Sequence, residues 1–353
     1  GAEEKILSLE TQLFNDLILA LTEYIPAIQL DSNLIARLDC LLSFVKSAVE
    51  NRYIRPEVND SLVIDIKEGR HPVIEKQLPP GEPYISNSVE LDNDKQQIMM
   101  ITGPNMAGKS ALLRQTALIV LMAQIGSFVP AEAAKIGIVD KIFTRVGASD
   151  NISLGESTFM VEMNEVSSIL KNATDKSLII LDEIGRGTST FDGMSIARAV
   201  LEYVVKKIGA KTLFATHYHE LTAMEGMLSG VNNYSVAVKK RGDDITFLRR
   251  IVHGGADQSF GIEVAKLAGV PSAVTKRAKA ILKELEANKI EIDFKAEDAV
   301  DEEDEDDIQF NFKTKSTDEL FELIKAIDIN TLTPIEAMQT LYDLKKKVEE
   351  ITD

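Results

Sequence analysis

Eight consecutive residues, Gly103-Pro104-Asn105-Met106-Ala107-Gly108-Lys109-Ser110, carry the spacing G-x-x-x-x-G-K-S. Glycines at those positions let backbone amides curl around an oxyanion, a lysine reaches the outer phosphates, and the serine hydroxyl ligates Mg2+. The chemistry implied is nucleotide binding. Hydrolysis requires in addition an acid that holds the metal and a group that orients water. Leu181-Asp182-Glu183 supplies both: Asp182, at the end of an apolar run, can reach Ser110 or the metal-bound water, and Glu183 is the candidate base. Thr216-His217 ends another apolar run, which makes His217 the candidate γ-phosphate sensor, with His219 and His71 read as structural or peripheral. The small, hydroxyl-rich stretch from Asp150 to Met160 could offer amides to an anion, or Ser157 and Thr158 could simply cap a helix. The residues alone leave both readings open.

Such groups work only if strands and helices place them on one edge. Ile98-Met99-Met100-Ile101 leads into the glycine-rich loop and a helix from near Lys109, Leu178-Ile179-Ile180-Leu181 precedes a helix from about Asp192, and Thr212-Leu213-Phe214-Ala215 is a third buried run. Continuous apolar strands separated by helices predict an α/β fold with a parallel sheet covered on both faces. Tyr234, Val236 and Val238, then Ile245 and Phe247, alternate around Arg241-Gly242-Asp243-Asp244, the pattern of a hairpin. Helices follow at about Gln258 to Leu267 and Ser272 to Ala287. Ahead of the sheet, Leu13, Leu17 and Leu21, then Leu34, Leu38, Leu41 and Val45, keep helical spacing. Pro26 should end or kink the first of these two helices, and Asp31 or Ser32 should cap the second. Leu62 to Ile66 reads as a strand, Gly69 as a turn, and Tyr84 to Leu91 as extended chain.

The chain has 353 residues, 44% hydrophobic and 27% charged, enough for two or three domains with sizeable cores. No apolar run approaches the roughly 18 residues of a membrane span, so no membrane partner and a cytoplasmic location are expected. Gly1-Ala2, without an initiating Met, reads as a remnant of tag removal on a shortened chain. The lone Cys40 reads as a buried, inert thiol. A net charge of −17 argues against a broad nucleic-acid surface. Nine acids without a base lie between 297 and 307, a predicted disordered linker. Beyond it, Thr333-Pro334-Ile335-Glu336 is a helix start whose apolar face, with Leu320 and Phe321, is too small to fold alone and should pair with another copy.

Taken together, GPNMAGKS, SLGESTFMVEMNE, LDEIGRGTSTFDG and FATHYHEL, in that order and spacing, resemble the ATPase of the MutS family of DNA mismatch-repair proteins, relatives of the ABC ATPases. GRHPVIE, SFGIEVAKLAGVP and LTPIEAMQTLYDLKK extend the similarity over nearly the whole chain. The resemblance implies a P-loop ATPase using ATP and Mg2+, with Lys109 steadying charge, Ser110 and Asp182 holding the metal, Glu183 positioning water and His217 reporting the phosphate. It further implies that Tyr84, Ile85 and Asn87 hold adenine and that two ATPase domains dimerise, Ser157 completing the partner's site in trans. Gly185 to Thr188 would communicate across that dimer, a helix-turn-helix would serve dimerisation, and a terminal tail would form tetramers. Mismatched DNA, gripped by domains absent from this chain, and MutL are the partners implied. The implied organisation is a helical lever remnant over 1–58, the ATPase over 59–255, the helix-turn-helix over 256–288, the acidic linker over 289–315 and the tail over 316–353. No Phe is followed two positions later by Glu, so the family's mismatch-reading wedge is missing. A non-hydrolysing dimerisation scaffold and a helix-turn-helix DNA-binding regulator are the alternatives.

Overall fold

The computed structural model describes residues 1–104, 107–147, 157–241, 244–255 and 260–287. The chain divides into two units, Gly1–Phe294 and Lys295–Asp353. Asn105 and Met106, the hydroxyl-rich loop before Ser157, the acidic run, the helix start at Thr333 and the rest of the tail lie outside the described residues.

Two long helices open the chain, α1 (Ala2–Thr22) and α2 (Ile25–Asn51). Pro26 does not terminate α1. It occupies the first turn of α2, where no intrahelical partner awaits its missing N–H and its fixed φ suits the helix. Asp31 and Ser32 accordingly lie inside α2 rather than capping it. Ala48 is the one buried residue of α2, and the apolar stripes, Leu17 and Leu38 among them, are exposed. Cys40 is exposed with them, which overturns the reading of a buried thiol.

The chain then forms β1 (Glu57–Asn59), β2 (Ile64–Gly69), the single turn α3 (Ile74–Gln77), β3 (Asn87–Leu91), β4 (Ile98–Thr102), α4 (Lys109–Gln124), β5 (Ala133–Gly137) and β6 (Ile142–Val146). Gly69 closes a strand instead of making a turn, because the strand begins two residues later than Leu62. Next come α5 (Thr158–Asn172), β7 (Leu178–Asp182), α6 (Thr190–Tyr203), β8 (Lys211–Thr216), β9 (Val231–Arg241), β10 (Asp244–His253), α7 (Gly261–Leu267) and α8 (Ser272–Ala287). The two halves of the expected hairpin are β9 and β10, paired antiparallel from Arg241 and Asp244.

A small mixed sheet has the order β1-β5-β2-β3, and a six-stranded sheet has the order β10-β9-β4-β8-β7-β6. Within the latter, β9, β4, β8, β7 and β6 are parallel and β10 alone is antiparallel. The apolar runs β4, β7 and β8 are buried along their whole length because both sheet faces are covered. Met99, Ile101, Ile180 and Leu213 pack on one face with Leu112 and Ile119 of α4. Ile98, Met100, Ile179 and Phe214 pack on the other with Val166 of α5 and Leu201 of α6. In register, Thr102 pairs with Thr216 and Asp182 with Ala215. The residues that follow these strands, Gly103, His217 and Glu183, therefore leave the sheet at one carboxyl edge, where ligands bind in such sheets.

Candidate active site

The loop after β4 turns through Gly103 (φ 132°) and Gly108 (φ 103°), both in a region closed to most side chains. It runs directly into α4, whose first residue is Lys109. The N-terminal amides of that helix and its positive dipole end thus face the loop. Lys109 is fully buried. Its Nζ donates to the Gly103 carbonyl and lies 4.0 Å from Glu183 Oε1. Burial pulls the ammonium's pKa below the ordinary lysine value, against the pull of Glu183 and Asp182. A cation so desolvated calls for anionic company.

Ser110, next on α4, hydrogen-bonds the carboxylate of Asp182, whose pKa is raised by burial. Asp182 Oδ1 is buried and has no hydrogen-bond partner among the described residues. A hydroxyl beside an orphaned carboxylate oxygen is an oxygen donor pair whose chemistry would suit a hard cation such as Mg2+. Among the described residues no group of three or more His, Cys, Asp or Glu could hold a metal by itself.

Glu183 follows β7 in the left-handed conformation, φ 58°, which costs an L-residue about 1–2 kcal/mol. Its N–H donates to the Ala215 carbonyl at 2.9 Å, and its Oε2 accepts from Arg186 Nη1 at 2.9 Å. Its carboxylate thus stands between Lys109 and Arg186. His217, exposed at the end of β8, has its ring 4.1 Å from that of Tyr218. Desolvation on its packed side, opposed by Glu183, lowers its pKa, so the neutral imidazole prevails at pH 7. Ser110, Asp182, Glu183, Arg186, Arg114 and Thr158 share a cavity of about 450 Å3, a volume suited to a small-molecule ligand.

Behind Glu183, Gly185 and Gly193 touch backbone to backbone, and Tyr218 Oη donates to the Gly185 carbonyl at 2.9 Å. A Cβ on Gly193 would strike both the Gly185 carbonyl and the Tyr218 hydroxyl. Gly193→Ala is therefore expected to cost about 1–3 kcal/mol of stability through overpacking. At roughly 2–4 °C per kcal/mol for a domain of 150–250 residues, differential scanning calorimetry should read a melting temperature lower by about 2–12 °C. An unchanged melting temperature would show that the contact is loose.

On the other flank, Tyr84 donates its hydroxyl to Gln115 Oε1 of α4 at 3.1 Å, and burial pushes the phenol's pKa up to about 12. Ile85 is exposed beside it. Asn87 is brought to the same flank but not with a free amide. Its Nδ2 donates to the Arg249 carbonyl at 3.0 Å and its Oδ1 accepts from the Ile251 N–H at 2.8 Å. These bonds pin a bulge in β10 at which Arg249 takes φ 55°. An ideal Cβ on Gly108 would sit 3.9 Å from Arg249 Cβ, and the Arg249 charge is felt by the Tyr84 phenol. Arg249 is thus a candidate site residue that sequence reasoning missed; no periodicity announces a bulge of two extra residues. Ser157 is exposed and caps α5, its Oγ accepting from the Met160 N–H at 3.1 Å. Capping is thus its role within one chain. Thr158, next to it, reaches the cavity.

The family profile described as MutS domain V matches residues 99–286, which include every one of these groups except Tyr84, Ile85 and Asn87. The chain belongs to the MutS family. A second profile, the DNA mismatch repair protein MutS C-terminal region, matches residues 314–347, and so identifies the tail by its sequence. The DNA mismatch repair protein MutS of Parabacteroides distasonis is 62% identical over 353 residues, covering 98% of this chain and 40% of the relative. That of Bacteroides thetaiotaomicron is 58% identical over 354 residues, covering 99% of this chain and 41% of the relative. That of Acetivibrio thermocellus is 53% identical over 352 residues, covering 99% and 40% respectively. This MutS-family chain therefore spans about 40% of the length of these relatives. No helix among the described residues is long and apolar enough to cross a membrane.

Proposed function

We propose that this chain is the ATP-binding and ATP-hydrolysing part of a mismatch-repair protein, a P-loop ATPase domain of ABC type whose sites are completed by a second copy. The observation that carries the reading is the fully buried Lys109 at the start of α4, with Asp182 reached through Ser110 and Glu183 at 4.0 Å. Lys109 donates to the outer phosphates of ATP, and the glycine-rich backbone presents amides to the others. Ser110 and Asp182 Oδ1 are the groups that would hold Mg2+. When bound, that ion supplies charge neutralisation across the β- and γ-phosphates. Glu183, set between Lys109 and Arg186, orients the attacking water and accepts its proton, and neutral His217 donates to the γ-phosphate. Tyr84, Ile85 and Arg249 border the space for the adenine, and Asn87 acts by holding Arg249's bulge.

Ser157, exposed at the start of α5, is the group offered to the partner's nucleotide in the homodimer. By linkage, if ATP favours the closed dimer, the dimer favours ATP by the same free energy. Helices α1 and α2, the lever of residues 1–58, would carry that bias to the DNA-gripping domains. The boundaries proposed for the rest are 59–255 for the ATPase, 256–288 for the dimerising helix pair, 289–315 for the linker and 316–353 for the tetramer-forming tail. Mismatched DNA and, downstream, MutL are the partners proposed for the whole protein, with a cytoplasmic location; the relatives' printed name, DNA mismatch repair protein MutS, supports the repair role.

Phosphate release by the purified chain tests this reading, run with sedimentation in parallel. Expected are release that stops when Mg2+ is chelated and a nucleotide-dependent rise in mass. Binding without release would favour a scaffold, and tight, salt-sensitive duplex binding by this chain would favour a DNA-binding regulator.

A further inference from the structure

Glu183 is strained, and a strained residue persists only where its surroundings over-determine it. One restraint is its own N–H on Ala215. The second lies two residues on. Gly185 (φ 85°) donates its N–H to Glu162 Oε1 at 2.5 Å and accepts the Tyr218 hydroxyl on its carbonyl at 2.9 Å. Between them Ile184 is buried, so the segment has no slack toward solvent. Glu162 belongs to α5, and its other oxygen accepts from Arg145 Nη2 of β6 at 3.1 Å. Arg145 Nε also lies 3.0 Å from Glu165. Glu162 and Arg145 are both buried, 3% and 5% exposed.

A buried carboxylate with one oxygen on a backbone amide and the other on a guanidinium has a fixed orientation, since each bond is charge-assisted and rotating it breaks both. Tyr218 closes the arrangement from the opposite side, and its ring lies 4.1 Å from that of the adjacent His217, tilted by 38°. Both groups assigned to the γ-phosphate therefore hang from one buried network. We infer that Glu162, oriented by Arg145, is a positioning residue for hydrolysis: buried in the wall of the cavity that Ser110, Asp182 and Glu183 also line, it acts through the Gly185 amide, holding Glu183 in its left-handed conformation. This deepens the ATPase reading and rests on it.

Glu162→Gln keeps the shape and an acceptor for Gly185 but weakens both charge-assisted bonds. Tyr218→Phe removes the bond on the other side of the same peptide and leaves every charge in place, so it serves as the second variant should the first fold poorly. The measurements are kcat for ATP, the dissociation constant for ATP, and hydrogen exchange of the Gly185 amide, all on the full chain. Expected for each variant are a kcat at least tenfold lower, an ATP dissociation constant within about twofold of wild type, and faster exchange at Gly185. Unchanged kcat, or ATP affinity falling in step with kcat, overturns the inference while leaving the ATPase reading intact. A wild-type chain that neither binds nor hydrolyses ATP overturns the ATPase reading, and this inference falls with it.

Discussion

Glu183→Gln should lower ATP turnover by about a hundredfold or more while leaving nucleotide affinity within a few-fold of wild type. General-base assistance is worth roughly 10²–10⁴ in rate, and an amide cannot accept the proton. The rest of the site should survive the change. Gln fills the same volume, its Oε1 still accepts from Arg186, and the left-handed backbone is held by bonds that do not involve the side chain. Removing a negative charge that faces the γ-phosphate side even favours binding. The check pairs steady-state phosphate release with equilibrium ATP binding on the same preparation. Turnover within threefold of wild type would assign the base elsewhere.

Lys109→Met should move binding and stability in opposite directions. A charge-assisted bond contributes about 1.5–3 kcal/mol, so its loss weakens ATP about ten- to hundredfold. The nucleotide-free protein, in contrast, should melt no lower than wild type. Its ammonium is fully buried and held at a lowered pKa by desolvation, a penalty that the thioether of similar length removes. Glu183 and Asp182 are not orphaned by the change, since Arg186 and Ser110 remain beside them. Titration calorimetry with ATP and thermal melting without it read the two effects. Unchanged ATP affinity would remove Lys109 from the site, and a large loss of thermal stability would make its role structural.

These expectations rest on features that are unequally legible in the chain. Strands β4, β7 and β8 could be read closely because a strand buried on both faces is continuously apolar, and each is followed at once by a candidate site residue, Gly103, Glu183 or His217. The G-x-x-x-x-G-K-S loop, Asp182, Glu183 and His217 were legible for the same reason: the sheet brings its carboxyl ends together, and the order of the elements implies it. The start of α8 at Ser272 was legible too, set by Pro271. Other features depend on contacts distant in sequence. The bulge that puts Arg249 against Gly108 is fixed by Asn87, 162 residues earlier. The Gly185–Gly193 contact and the Glu162–Arg145 pair likewise follow from packing that no local pattern encodes. Pro26 was misplaced because its missing donor fits both the end of one helix and the first turn of the next. Cys40 was misjudged because helical apolar spacing predicts a stripe, not what lies against it, and on α2 the stripe is exposed. Strands β5 and β6 mix apolar with charged residues such as Lys135 and Arg145 and give only a weak signal.

The most direct test of a triphosphate site on this loop is a crystal structure of the chain grown with a non-hydrolysable ATP analogue and Mg2+. The expected density places the β- and γ-phosphates against Lys109 Nζ and the amides of 103–110, with the metal between Ser110 and Asp182 Oδ1. Nucleotide bound elsewhere, or a loop left empty at saturating analogue with Lys109 still on the Gly103 carbonyl, would contradict it.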